Sequence, residues 1–256
     1  MSRIALLLAL LLALPARAAP SLGDIRWDQH PGSQVPTDTP FRGADGRPIT
    51  LGSAMDGRPT VLDLGYFHCT TLCGVVRNDL LSALAQSGLR AGTDFTLVAV
   101  SIDPAETPQD AAHALSDEQA RYQVPGDRRA WHYLTGTTAA IERVTQAVGF
   151  RARFDAATKQ FYHPAGLVIL TPAGTVSSYV LGVGYQAGDV RAALLRAHEG
   201  GIAKASLPIL LLCFHFDPTT GRYTLAIWRV LQLGGALTIL IVGGTIALAL
   251  RRERTR

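Results

Sequence analysis

Two cysteines separated by three residues are the pair in this chain best suited to chemistry. Cys69 and Cys73 lie in the run FHCTTLCGVVRNDLLSAL, which begins at Phe67. Residues at positions i and i+4 of a helix share one face, so both thiols can point into one site. The backbone N–H groups and the positive dipole end of a helix start stabilise a thiolate, which is both a nucleophile and a metal ligand. The spacing therefore predicts a redox disulfide or a soft metal site.

A plain structural disulfide is the alternative for Cys69 and Cys73, because exported proteins commonly carry such bridges. A bridge between residues one helical turn apart closes a very short loop, however, and so restricts the unfolded chain little. The pair is therefore better suited to redox chemistry or metal binding than to stabilisation.

His163 favours the metal interpretation. It follows a predicted hairpin over residues 153–161 and precedes a predicted strand over Gly166–Leu170. His163 lies at the same end of the sheet as the cysteines if this strand and the strand before Cys69 are parallel neighbours. Two thiolates and one imidazole form a soft set that suits Cu(I), or Cu(II) when an oxygen donor completes the site, whereas structural zinc normally takes four ligands. A histidine before a strand is otherwise an ordinary loop residue.

The apolar pattern places the cysteine pair between a strand and a helix. An apolar run over residues 58–66 predicts a buried strand, and apolar residues at helical spacing follow from Val75. Further strands are predicted over 95–102, 166–170 and 176–181, and further helices over 107–122, 138–148 and 189–198. Strands that alternate with helices indicate an α/β layer fold with a mainly parallel sheet.

Both ends of the chain carry apolar segments. Residues 1–18 combine Arg3, an apolar run and a small-residue end, which is typical of a secretory signal peptide cleaved after Ala18. Residues 230–250 contain no charged side chain and are long enough to cross a bilayer. Arginines follow at once, so the positive-inside rule places the tail in the cytoplasm and the preceding domain outside.

The formal net charge of +4 belongs to these end segments. Between Ala19 and Thr224 there are 17 Lys plus Arg and 19 Asp plus Glu, which leaves that part near −2. No basic patch supports nucleic-acid binding, so no nucleic-acid partner is predicted. A hydrophobic content of 48% excludes a disordered chain, and three cysteines are too few for a disulfide scaffold.

Three motifs in this order, LGYFHCTTLCGVVRNDL, VAVSIDPAETPQDA and FYHPAGLVILTPAG, resemble the Sco/SenC family of membrane-tethered copper proteins. The resemblance covers about residues 25–200. It implies a thioredoxin-like domain that binds copper through the cysteines of CxxxC and a distal histidine, and that serves in assembly of the copper centre of cytochrome c oxidase. Carried over position by position, it makes Cys69, Cys73 and His163 the copper ligands. Asp103, in the family-like S-x-D-P turn, would be a supporting residue, although simple turn formation is the favoured role.

The chain departs from the family pattern at three places. Gly74 stands where the family commonly has proline, which loosens the helix start without removing a ligand. The predicted anchor is C-terminal, whereas many relatives have an N-terminal one. Pro164 directly follows His163, where thioredoxin-like oxidoreductases have a cis-proline, and a cis bond there would bring this segment close to the thiols. Pro164 is thus a second supporting residue and favours a redox role.

A second group of candidate ligands lies in LPILLLCFHFDPTTGRY, which begins at Leu207. Cys213, His215 and Asp217 alternate, so on an extended strand they would share one face just outside the membrane. Similar segments occur in a bacterial branch of Sco-like proteins with a C-terminal span. A second copper or relay site is one interpretation, and a membrane-proximal apolar strand with a merely buried cysteine is the favoured one.

The sequence predicts a particular organisation and function. Its parts are a signal peptide (1–18), an extended lead-in (19–48), a thioredoxin-like copper-binding domain (49–200), a membrane-proximal CxHxD segment (201–224), a transmembrane helix (225–250) and a cytoplasmic tail (251–256). We expect a single-pass inner-membrane protein with its functional domain in the periplasm. The resemblance implies a metallochaperone that delivers Cu(I) or Cu(II) to the copper-bearing subunit of cytochrome c oxidase.

Two other functions compete with the metallochaperone. A thiol-disulfide oxidoreductase that reduces the cysteines of the same acceptor would need Cys69 and Cys73 but not His163, because thiolate attack has no use for an imidazole ligand. A peroxidase is disfavoured, since the sequence carries no separate peroxidatic motif.

Overall fold

The computed structural model of the chain describes residues 25–68, 72–156 and 158–205, together with residues 234–236, 238 and 242–244. The chain forms two compact units, one of Asp24–Tyr223 and one that combines Met1–Gly23 with Thr224–Arg256. In the latter unit the described residues are helical. Across the described ranges, no helix is both long and apolar enough to cross a membrane.

Several predicted features lie outside the described residues. They are the signal peptide (1–18), Cys213 and His215 of the CxHxD segment, most of the predicted transmembrane helix (225–250) and the tail (251–256). Each of them stays a prediction.

A seven-stranded sheet forms the centre of the unit Asp24–Tyr223, in the order β11-β10-β4-β5-β6-β2-β3. The strands are β1 (Arg26–Trp27), β2 (Pro40–Gly43), β3 (Pro48–Thr50), β4 (Thr60–Gly65), β5 (Thr96–Ser101), β6 (Trp131–Thr135), β7 (Phe150–Arg151), β8 (Arg153–Asp155), β9 (Gln160–Tyr162), β10 (Gly166–Leu170) and β11 (Val176–Leu181). The helices are α1 (Leu51–Met55), α2 (Leu72–Gln86), α3 (Pro108–Arg121), α4 (Thr138–Ala147) and α5 (Ala187–His198). Two-stranded pairs β1-β7 and β8-β9 lie outside the sheet.

The predicted α/β fold is confirmed, but the prediction of a mainly parallel sheet is wrong. β4, β5 and β6 are parallel neighbours. β10 and β11, and likewise β2 and β3, form hairpins, and each hairpin joins the central strands in antiparallel orientation. The hairpin connections are only a few residues long, and a parallel pair would need a crossover of a dozen residues or more.

Helices cover both faces of the sheet, which explains why its central strands are mostly apolar on both faces. Successive side chains of β4, β5 and β10 enter two different apolar clusters. One cluster contains Leu81 of α2 and Leu194 of α5. The other contains Met55 of α1 and Val144 of α4. A strand buried on both faces loses the alternation of apolar and polar residues that marks a half-exposed strand.

The predicted lead-in is part of this folded unit. β2 and β3 form one edge of the sheet, and Val35 and Phe41 are buried. Both strands begin with proline, which is tolerated at the first residue of a strand. Trp27 contacts the Phe150 ring edge to face at 4.9 Å, and its indole N–H donates to the Ala165 carbonyl at 3.2 Å. The lead-in thus supports the segment that follows His163.

Helix α3 begins as its sequence predicts. Thr107 is the N-cap, and the backbone N–H of Asp110 donates to its Oγ1 at 3.4 Å while Asp110 Oδ2 accepts the Thr107 N–H at 2.7 Å. This reciprocal pair is a capping box. The side-chain and backbone hydrogen bonds from Thr107 hold the pKa of Asp110 below its ordinary value.

Replacing Thr107 with alanine removes the hydroxyl that caps α3. We expect the free energy of unfolding to fall by about 1 kcal/mol, the usual cost of losing such a cap. Urea unfolding followed by tryptophan fluorescence measures the change. Thr107→Ser keeps the hydroxyl and serves as the matched control. An alanine variant as stable as the serine variant would show that the cap contributes nothing.

Candidate metal centre

The candidate site lies where the end of β4 meets the start of β10. These strands are antiparallel, with Leu167 opposite Asp63 and Leu170 opposite Thr60. The expectation that they are parallel neighbours is wrong, and parallel pairing would in fact have put His163 at the far end of β4. Antiparallel pairing instead places the start of β10, three residues after His163, beside the end of β4 that leads to the cysteines.

The cysteine pair follows β4 as predicted. β4 ends at Gly65 and α2 begins at Leu72, so Cys73 is the second residue of the helix. Cys69 and the side chain of Cys73 lie outside the described residues. Among the described residues, no group of three or more His, Cys, Asp or Glu side chains could hold a metal ion. The ligand set of Cys69, Cys73 and His163 therefore stays a prediction.

The imidazole of His163 is oriented by its own backbone. The residue is 3% exposed, and its Nδ1 lies 3.2 Å from the Pro164 carbonyl oxygen. A carbonyl only accepts, so Nδ1 carries the proton in this contact and Nε2 is the nitrogen that can ligate a metal. Hydrogen bonds of this kind fix the tautomer of metal-binding histidines.

Aromatic side chains surround His163. Its ring lies 6.2 Å from the Tyr66 ring, edge to face, and 5.8 Å from the Phe150 ring. Phe161 contacts Tyr66 at 5.9 Å between ring centroids. His163 also lines a small cavity together with the end of β4, the second turn of α2 and Pro164. The histidine is therefore held among elements that include the cysteine-bearing helix.

Pro164 and Asp103 have defined structural roles. No cis peptide bond occurs among the described residues, so the His163–Pro164 bond is trans, unlike the cis-proline considered for this position. The segment is fixed instead by the Trp27 indole on the Ala165 carbonyl. Asp103 Oδ1 accepts the Ala105 N–H at 2.8 Å, which is the turn-forming role favoured for it.

Arg77 lies buried four residues after Cys73, on the same face of α2. Its Nε donates to Asp63 Oδ2 at 3.1 Å and its Nη1 to Glu118 Oε1 at 3.3 Å. Nη2 donates to the Tyr66 carbonyl at 3.3 Å. The Tyr133 hydroxyl donates to the other oxygen of Glu118. This cluster of Arg77, Asp63, Glu118 and Tyr133 joins β4, α2, α3 and β6.

Burial and charge act together on the pKa values of this cluster. Burial alone would lower the pKa of Arg77, but the carboxylates of Asp63 and Glu118 outweigh it and raise that pKa. Burial raises the pKa of Glu118, and the Arg77 cation opposes this rise. Burial also raises the pKa of Tyr133 well above its ordinary value. Arg77 therefore stays charged and compensates the buried carboxylates.

His68 precedes Cys69 and is 68% exposed along its side chain. Its Nδ1 lies 3.3 Å from Glu106 Oε1, and its Nε2 lies 3.3 Å from Asp110 Oδ1. The imidazole thus bridges two carboxylates on and before α3. The sequence gives the four remaining described histidines no ligand pattern and predicts surface or capping positions for them; His30, His113 and His198 are exposed, whereas His132 in β6 is half-buried.

Sequence reasoning missed two residues at this end of the sheet, Arg77 and Glu106. The signal for Arg77 was available, because a charged residue among Val76, Leu80 and Leu81 falls on the apolar face of a predicted helix. Glu106 could be found only from the parallel pairing of β4 and β5. That pairing brings the carboxyl ends of both strands to one edge of the sheet, and so places the segment after β5 beside the segment after β4.

The fold and the site define a class of protein. A mixed sheet covered by helices on both faces, with a cysteine pair between a central strand and the next helix, is thioredoxin-like. The SCO1/SenC family profile matches residues 31–196. The chain therefore belongs to the SCO1/SenC family. The comparison with curated proteins found no match.

Solved structures share this fold. A protein of Aquifex aeolicus VF5, provisionally described as an electron transfer protein, is 25% identical, with 66% of this chain and 94% of that chain covered and a TM-score of 0.58. ScoI of Arabidopsis thaliana, solved with copper bound, is 17% identical, with coverage of 67% and 98% and a TM-score of 0.52. BsSco, described as having a disulfide switch and as a member of the Sco family of cytochrome c oxidase assembly proteins, is 20% identical, with coverage of 66% and 96% and a TM-score of 0.51.

Proposed function

We propose that this protein is a copper-binding metallochaperone that uses Cys69, Cys73 and His163 as ligands. The observation that carries the proposal is the position of His163. Its buried imidazole lies beside the end of the strand that leads to the cysteine pair, and the contact of Nδ1 with a backbone carbonyl makes Nε2 the nitrogen suited to ligation. Membership of the SCO1/SenC family supports the same ligands.

The donor set fits copper. Two thiolates and one imidazole are soft ligands, which Cu(I) prefers, and an added oxygen donor would accommodate Cu(II). The start of α2 favours the thiolate form of Cys73, because its backbone N–H groups and dipole stabilise negative charge there. A homologous fold has been solved with copper bound, in ScoI of Arabidopsis thaliana.

Copper is the cargo in this proposal. Thiolate ligands exchange with those of an acceptor, and because the ligands must lose protons to bind, copper uptake depends on pH. We propose the copper-bearing subunit of cytochrome c oxidase as the acceptor, in line with the description of BsSco. We further propose that a C-terminal transmembrane helix over residues 225–250 holds the domain on the periplasmic face of the inner membrane.

A thiol-disulfide oxidoreductase is the second candidate. The observation that favours it is the thioredoxin-like fold with one cysteine in the first turn of α2, and BsSco is described as having a disulfide switch. In such an enzyme a thiolate attacks the acceptor disulfide through a mixed disulfide. This reaction reduces the acceptor cysteines and oxidises Cys69 and Cys73.

Copper titration of the full chain in mild detergent tests the proposed function. We expect the wild-type chain to bind copper stoichiometrically and both Cys69→Ser and Cys73→Ser to lose that binding, because each removes a thiolate. Mixing the copper-loaded chain with the copper-free soluble domain of the oxidase subunit should then move copper to the acceptor. A chain that reduces the acceptor disulfide but neither binds nor transfers copper would support the oxidoreductase and refute the chaperone.

A further inference from the structure

Glu106 is a buried carboxylate in the connection between β5 and α3, and its side chain is 3% exposed. Burying a carboxylate is costly unless hydrogen bonds compensate it. Its partners belong to two places, the end of β5 and the segment that leads to Cys69. We call residues 66–71, which join β4 to α2, the cysteine loop.

Four contacts hold this carboxylate. Glu106 Oε2 accepts the backbone N–H of Phe67 at 2.8 Å, and Oε1 accepts the backbone N–H of His68 at 2.6 Å. The Ser101 hydroxyl donates to Oε2 at 2.6 Å. The His68 Nδ1 lies 3.3 Å from Oε1. Each oxygen therefore receives one backbone N–H of the cysteine loop and one side-chain contact.

The two N–H groups need an acceptor because the sheet no longer supplies one. The last ladder bond at this edge runs from the Ile102 N–H to the Gly65 carbonyl at 2.7 Å. Beyond Gly65 the chain leaves β4, and a single side chain then binds two consecutive N–H groups. Hydrogen bonds from backbone N–H groups to a carboxylate are roughly twice as strong as neutral ones, so the backbone of Phe67 and His68 is firmly held.

We propose that Glu106 is a positioning residue for copper binding, in that it fixes the backbone from which Cys69, the next residue, presents its thiol. The proposal rests on the proposed function of Cys69 as a ligand. The side chain of Phe67 adds a second anchor, because the Arg77 guanidinium lies 5.2 Å from its ring centroid and the Tyr133 ring stacks on it at 5.4 Å. Phe67 is thus anchored through both its backbone and its side chain.

Glu106→Gln is the decisive variant, because it keeps the shape and removes one acceptor. The amide oxygen accepts one backbone N–H, while the NH2 group faces the other and cannot accept it. We expect copper affinity, measured by competition with a chelator, to fall 10- to 100-fold, as is usual when a partner of a ligand is lost. We also expect the thiolate-to-Cu(II) absorption band to shift, and amide hydrogen exchange at Phe67 and His68 to accelerate in the copper-free chain.

Two further variants separate positioning from stability. Glu106→Asp keeps the charge and both acceptor oxygens, so we expect its affinity to lie between those of wild type and Glu106→Gln. Ser177→Ala removes a buried hydroxyl that donates to the Gly201 carbonyl at 2.6 Å, towards the opposite end of the sheet. It should lower the unfolding temperature and leave copper affinity and the absorption band unchanged.

The outcomes distinguish this proposal from the proposed function. Wild-type affinity, band position and amide exchange in Glu106→Gln would overturn the positioning role. A wild-type chain that binds no copper would overturn the proposed function. In that case, amide exchange and the reduction potential of the Cys69–Cys73 pair, compared between wild type and Glu106→Gln, would still decide whether Glu106 holds the loop. Equal losses of affinity in Glu106→Gln and Ser177→Ala would reduce the effect to general destabilisation and so contradict the proposal.

Discussion

Replacing His163 with alanine is expected to abolish stoichiometric copper binding while leaving the Cys69–Cys73 disulfide reducible. Two thiolates alone form an incomplete set for a stable copper site. Losing a residue that only hydrogen-bonds to a metal ligand lowers metal affinity about 10- to 100-fold. Losing the ligand itself should therefore lower copper affinity by at least about 100-fold. Disulfide reduction needs only thiolate attack and so does not involve the imidazole.

The measurement is chelator competition for copper affinity, combined with a thiol assay after reduction of the disulfide. His132→Ala is a matched control, because His132 is a half-buried histidine in β6, three strands away from His163. We expect the control to keep wild-type copper affinity. Tight stoichiometric copper in His163→Ala would contradict the three-ligand site and leave the thiol-disulfide oxidoreductase as the better hypothesis.

Replacing Arg77 with alanine is expected to destabilise the protein strongly. The change leaves the buried Asp63 and the partly buried Glu118 without the cation that each now contacts. Removing one partner of a buried ion pair typically costs about 3–5 kcal/mol, mainly because the remaining charge is uncompensated. The free energy of urea unfolding at pH 7 measures the loss.

Arg143→Ala is the control for this prediction. Arg143 forms an exposed salt bridge with Asp38 at 3.0 Å, and exposed pairs contribute little to stability because water screens them. We expect its stability to remain close to wild type. Similar losses in the Arg77 and Arg143 variants would show that burial of the Arg77 cluster does not amplify the interaction.

The destabilisation by Arg77→Ala should depend on pH. Burial already raises the pKa of Glu118 in the wild-type chain, and Arg77 opposes that rise, so the variant should have a still higher Glu118 pKa. A raised folded pKa means that protonation favours the folded state. The stabilisation from this protonation is complete at pH values below the ordinary glutamate pKa, and it is lost as pH rises through the raised pKa. The difference from wild type should therefore be smaller at pH 5 than at pH 8, and a constant difference would contradict this mechanism.

Local patterns in the sequence predict much of the fold. The apolar runs predict β4, β5 and β10, and the predicted helices that start near Val75 and span 107–122 agree with α2 and α3 within a few residues. These elements are predictable because their signals lie within one turn or one strand. The strands β2 and β3 were missed, since they are short, begin with proline and carry few apolar residues.

The site is predictable only in part, because its assembly depends on contacts between distant residues. The family resemblance supplied Cys69, Cys73 and His163, but the orientation of β10 against β4 could not be read from either strand alone. Glu106 is unremarkable within DPAETP, and it gains a role only because β5 ends beside β4. Arg77 was missed although it is a charged residue on an apolar helix face, and its partners, which come from β4, α3 and β6, could not be read from the helix alone.

The hydrogen bond from the Trp27 indole to the Ala165 carbonyl sets a practical limit on how the chain can be shortened. A fragment that starts at residue 49, the predicted beginning of the domain, would lack this tryptophan, the whole of β2 and the first residue of β3. Its histidine-bearing segment would lose the anchor that holds it from the far end of the chain. The stretch between the predicted cleavage site and the first central strand is therefore not a spacer to be trimmed, and a soluble fragment for metal studies has to retain it.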